Sequence, residues 1–129
     1  RMVISTLSVV MASIFYVYTS GASTKEFVCV LLTGSFLSIA HLLWCAEMDI
    51  MNPQSDQYAT VGMAFNDPNV KNATIYSLLL SVLFAFLVYF LAPSGLISAF
   101  VKLTIISFVL LGARAYLYYI RVKLYYKER

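Results

Sequence analysis

Four runs of this chain, residues 2–18, 27–46, 75–92 and 96–120, are each long and apolar enough to cross a bilayer. A helix needs about 20 mostly apolar residues to span the hydrocarbon core. Lipid offers no partner to an open backbone, so only helices and closed barrels cross it. These runs are continuous rather than alternating, which selects helices over strands. The expected fold is therefore all-α: an integral membrane helical bundle of four transmembrane helices.

Composition closes the soluble alternative. Hydrophobic residues make up 61% of the 129 positions and charged residues only 12%. A soluble domain of this size needs a polar surface that the chain does not supply. Residue 1 is Arg rather than Met. The chain is accordingly expected to be a single transmembrane domain over 1–129, the C-terminal part of a longer or processed protein. The first run does not read as a signal peptide, because it lacks a small-residue cleavage site and further spans follow. Cys29 and Cys45 both fall in the second run. Sixteen helical residues separate them by about 24 Å, too far for a disulfide, so both read as free thiols.

The connections are short apart from residues 47–74. Pro93, Ser94 and Gly95 join the third and fourth runs as an antiparallel hairpin. With four spans, the long loop and both ends share one side, which holds Arg1, Lys71, Arg121, Lys123, Lys127 and Arg129. Lys25 stands alone on the other. The excess of Lys and Arg places the loop and the C-terminus in the cytoplasm. Lys102 and Arg114 lie inside the fourth run. Each is expected to extend its stem toward the nearer interface rather than line a pathway. The tail after Ile120 has no Gly or Pro, so its helix can run on along the headgroups.

Few residues offer chemistry. His41, Cys45 and Asp49 recur every four positions on one helix face, but no second cluster completes a coordination sphere, so no metal is expected. Gly34, Ser38, His41 and Cys45 form a small and polar stripe suited to close helix contact. One His, no GxSxG elbow and no paired intramembrane carboxylates leave no catalytic set. No Walker A pattern is present. The chain is read as no enzyme, without a cofactor of its own, and nothing in it points to nucleic acid.

The loop is richer. Asn52-Pro53 is a helix start, with Asn capping and Pro at the first helical position. Tyr58, Val61 and Phe65 then share a stripe, so a short cytoplasmic amphipathic helix is expected from Pro53 to about Phe65. It either lies on the lipid surface or docks a soluble partner. The residues from Phe65 to Asn69 read as a turn. Asn72-Ala73-Thr74 matches a glycosylation sequon, but Asn72 on the cytoplasmic side is better read as the N-cap of the third span.

The residues from Trp44 to Asn69 also carry a resemblance. Glu47-Met48-Asp49-Ile50-Met51-Asn52-Pro53-Gln54, then Gln57-Tyr58-Ala59-Thr60, then Asn66-Asp67-Pro68-Asn69 resemble the membrane (permease) subunit of a family of bacterial ABC exporters. Val70 and Lys71 depart from the family pattern, in which an acidic residue follows the turn. The resemblance implies a longer multi-pass permease in the bacterial plasma membrane, with further spans or a second permease copy beside it. It also implies a separate cytoplasmic ABC ATPase as partner, holding ATP and Mg. Residues 53–65 would be the coupling helix, and Glu47, Asp49, Asn52, Pro53, Gln54 and Tyr58 would contact the ATPase or shape the loop. The cargo does not follow. The competing reading is a small four-span interaction or assembly protein without transport activity.

Overall fold

The computed structural model describes residues 2–52 and 68–127, with side chains from Leu7 onward in the first stretch and from Asn69 onward in the second. Among the described residues there are four α-helices: α1 (Met2–Ser20), α2 (Thr24–Met51), α3 (Pro68–Leu91) and α4 (Leu96–Lys127). A 3-10 turn, Ala92–Ser94, joins α3 to α4. No strand occurs among the described residues.

Each boundary has a local cause. Gly21 takes φ 63° and its N–H bonds to Val17 O at 3.0 Å, closing α1. This left-handed C-terminal residue is where glycine avoids the Cβ penalty. Ser23 then opens α2 with a reciprocal cap: its N–H donates to Glu26 Oε2 at 2.7 Å, and Glu26 N–H donates to Ser23 Oγ at 3.4 Å. The Ser-x-x-Glu pattern is readable in the sequence, yet the span was expected only from residue 27. Pro68 occupies the first position of α3, where its missing N–H costs nothing. Asn72 therefore sits inside α3 and is not its N-cap, which corrects the expectation. Gly95, at φ 95°, turns the chain into α4.

The helices overrun the apolar runs. At 1.5 Å per residue the 28 residues of α2 reach about 42 Å and the 32 of α4 about 48 Å. Hydropathy sees only the hydrocarbon slab, whereas helices continue through the headgroup layer. Glu47–Met51 thus belongs to α2 and residues 68–74 belong to α3, which corrects both ends of the loop expected over 47–74. The expected amphipathic helix, with Pro53, Gln54 and Tyr58, lies outside the described residues.

Among the described residues, three helices are long and apolar enough to cross a membrane: Thr24–Met51, Asn69–Ser94 and Leu96–Lys127. The apolar stretch Leu7–Ser20 of α1 is shorter. The outward surface agrees with a lipid solvent. Leu78, Leu83, Phe86 and Phe90 of α3 and Ile105, Phe108 and Val109 of α4 are exposed, an apolar area far beyond what a water-soluble monomer shows.

The centre of the bundle is α2. It packs most extensively on α4, then on α1, while α3 touches both α2 and α4 sparsely. Although Pro93 to Gly95 joins α3 and α4 as antiparallel neighbours, the main partner of α4 is α2, running parallel to it. Their register is uniform. Thr33 and Thr104 hydroxyls meet at 3.0 Å, and Thr104 Oγ1 lies 3.3 Å from Cys29 O. Phe36 meets Phe108 edge-on with ring centroids 5.5 Å apart. Small residues allow this approach: Ala40, Ala99 and Ser107 are buried with Leu103, as close packing in lipid requires. On the other side of α2, a Cβ on Gly34 would stand 2.8 Å from Val9 Cγ1 of α1.

Candidate functional site

Polar and charged side chains concentrate where α2 ends, α3 begins and the later half of α4 passes. Parallel register brings residues 44–49 of α2 beside residues 114–121 of α4, and antiparallel pairing brings the first turns of α3 to the same level.

Arg114 is the organising cation. Its guanidinium carbon lies 4.1 Å from the centroid of the Trp44 ring and 5.0 Å from that of Tyr76. The two rings are stacked, with centroids 4.6 Å apart and planes 20° from parallel. Arg114 Nη2 also donates to the Tyr76 hydroxyl. One residue from each of three helices thus forms a single contact. The aromatic quadrupoles attract the cation, and the planar guanidinium suits stacking in a way that an ammonium does not. Arg114 is directed toward α2 and α3, where it meets Trp44 and Tyr76. Lys102 reaches back along its own helix, with Nζ 3.2 Å from Ser94 Oγ at the 3-10 turn.

Two further links surround this contact. Glu47 is 5% exposed and its Oε1 stands 3.5 Å from Arg121 Nε. Its Oε2 has no hydrogen-bond partner among the described residues. Asn69, also buried, donates from Nδ2 to Asp49 Oδ1 at 3.3 Å and to Asn52 O at 3.0 Å. Asn52 itself closes α2, with its N–H bonded to Met48 O. The two ends of the connection between α2 and α3 are therefore tied by one amide.

The expected site residues separate by role. Glu47 is turned into the bundle and shapes it; Asp49 and Asn52 are exposed and hold the start of α3. The stripe of Gly34, Ser38, His41 and Cys45 divides. Gly34 admits Val9, while His41 Nε2 lies 3.6 Å from Cys45 Sγ. Ser38 and His41 face Ser77 and Ser81 of α3 across a cleft of about 210 Å³. Among the described residues no group of three His, Cys, Asp or Glu gathers as a metal site.

Sequence reasoning missed Tyr76 and Asn69. An ionisable residue inside an apolar run needs a partner in the bundle, which was signal enough to seek one for Arg114. Which aromatic it met depends on the register of three helices. These contacts join one end of α2, α3 and α4. Comparison with protein-family models, with curated proteins and with solved structures gave no match.

Proposed function

We propose that the chain is part of the membrane-embedded permease of an ABC exporter, with a separate cytoplasmic ATPase engaging the segment between α2 and α3. The observation that supports this most is the Asn69 bridge to Asp49 and Asn52. A force applied to a connection whose two ends are tied moves both helices together instead of being absorbed by the loop. The stack of Trp44, Arg114 and Tyr76 and the pair of Glu47 and Arg121 pass that motion to α4. Packed and ion-paired elements of this kind carry displacement as rigid bodies.

In this reading α1 is a fourth span, the connection and the C-terminus are cytoplasmic, and the membrane is the bacterial plasma membrane. ATP and Mg belong to the partner, and the remaining permease surface is supplied by further spans or a second copy. Residues Pro53, Gln54 and Tyr58 form the contact, and Asp49 and Asn52 hold its base. The sequence resemblance over residues 44–69 supports the same assignment.

The test is purification of the full-length protein from its own host in mild detergent, with companions identified by mass. Wild type should retain an ABC ATPase, Tyr58→Ala should lose it, and Asn69→Ala should retain it while uncoupling ATP hydrolysis from the membrane part. Absence of any ATPase under gentle conditions would instead favour a four-span interaction or assembly protein.

A further inference from the structure

The later cations of α4 divide between two faces. Arg114 and Arg121 are seven residues apart and so share a side of the helix. They turn to α2 and α3, where Trp44, Tyr76 and Glu47 take them up. Lys123 and Lys127 stand on the opposite side, exposed, and neither has an acidic partner among the described residues. No Asp or Glu occurs from Leu96 to Lys127, so the helix itself offers this face no compensating charge.

The same face continues back along α4. Ile105, Val109, Tyr116, Tyr119, Lys123 and Lys127 follow one another at spacings of three, four or seven residues, which places them on one stripe. All six are exposed. From Ile105 onward the stripe is first aliphatic, then phenolic, then cationic. The helix is also too long for the hydrocarbon. Its 32 residues reach about 48 Å, against a core about 30 Å thick. About 18 Å therefore stands outside, and the cations gathered after Ile120 mark the later end as that part, because charge is costly inside. Helical side chains lean toward the N-terminus of their helix. The two lysine stems thus lean back toward Tyr119 and the bilayer rather than out toward the aqueous phase.

We infer that this face of α4 is a binding site for an anionic phospholipid. Its phosphate is held by Lys123 and Lys127, its ester region lies against the rings of Tyr116 and Tyr119, and an acyl chain follows Val109 and Ile105. The order of side chains along the stripe is the order of groups along the lipid. Tyrosine suits the middle position because its ring is apolar and its hydroxyl is wet. Basic residues next to a span gain from negative lipid charge, whereas a zwitterionic lipid brings its own cation against the lysines. An acidic soluble protein would use the lysines and leave Val109 and Ile105 uncovered. The inference stands apart from the exporter reading and needs no ATPase.

The experiment is native mass spectrometry of the full chain in mild detergent, titrated with phosphatidylglycerol or phosphatidylcholine so that each bound lipid is counted. The first phosphatidylglycerol should bind about 25-fold more tightly than the first phosphatidylcholine, at about fivefold for each lysine. Lys123→Gln with Lys127→Gln should abolish the difference, and Lys123→Arg with Lys127→Arg should keep it. Lys25→Gln with Lys102→Gln removes the same net charge elsewhere and should leave the difference intact. Equal binding of the two lipids by wild type would overturn the inference. An equal loss in the Lys25 and Lys102 variant would also overturn it, since net charge rather than this face would then select the lipid. Displacement of phosphatidylglycerol by an equal concentration of poly-glutamate would overturn it in favour of an acidic protein partner.

Discussion

Replacing Arg114 by Gln tests whether the three-helix stack holds α3 in place. The substitution keeps much of the length and polarity of the side chain and removes the charge and the planar fork. Cation–π attraction runs from about 0.5 kcal/mol at exposed sites to about 2 kcal/mol when desolvated. Arg114 is half-buried, 4.1 Å from one ring and 5.0 Å from the other, so a value near the middle of that range applies to the Trp44 contact and a smaller one to Tyr76. A hydrogen bond from a charged donor adds about 1.5 kcal/mol at the lower end of its range. These terms share one group and do not add fully, leaving about 2–3 kcal/mol for the local attachment of α3. Because α3 is otherwise sparsely packed on α2 and α4, the loss should appear as local opening. Amide exchange in the first half of α3 should accelerate about 30- to 150-fold, at tenfold per 1.4 kcal/mol. Exchange near Thr33 and Thr104 should not change. Arg114→Lys should fall between wild type and Arg114→Gln, because an ammonium keeps the attraction but not the stacking. The decisive measurement is the cycle of Trp44→Leu, Arg114→Gln and the double variant. If the two exchange effects simply add, Arg114 and Trp44 are not coupled and the stack is not what secures α3.

Other perturbations read other contacts. Gly34→Ala should lower the melting temperature in detergent, since its Cβ would meet Val9 Cγ1 at 2.8 Å and overpacking costs about 1–3 kcal/mol; adding Val9→Ala should restore most of the loss. Arg121→Gln leaves the buried Glu47 carboxylate without its cation and should destabilise by about 1 kcal/mol, discounted because Arg121 is half in solvent; adding Glu47→Gln should relieve it, and no relief in thermal unfolding would remove the ion pair from the account. Asn69→Ala should speed amide exchange in the first turn of α3 about tenfold, as expected for two hydrogen bonds of ordinary strength; unchanged exchange would mean that Pro68 alone fixes that end. With Cys29 and Cys45 replaced by Ala, Ser55→Cys should resist an impermeant thiol reagent in intact cells and react after permeabilisation; labelling without permeabilisation would reverse the topology.

Much of this protein is written in its sequence at the level of helices. The long apolar runs dictate helices because lipid leaves the backbone no other way to pair. Gly21 and Gly95 mark where the chain turns, and Ser23 with Glu26 marks where α2 begins. Pro68 sets the start of α3 because its ring suits a first turn. Tertiary structure decided everything that depends on register. No local pattern told α4 to lie parallel along α2 rather than chiefly against its hairpin neighbour α3, because both surfaces are apolar and lipid gives no hydrophobic preference between them. Close approach of small residues at Ala40, Ala99 and Ser107 and the contact of Thr33 with Thr104 made that choice. The same register carried Arg114 to Trp44 and Tyr76, turned Glu47 inward to Arg121, and set Ser38 opposite Ser77. Residue type announced which side chains needed partners; only the packed helices determined which partners they met.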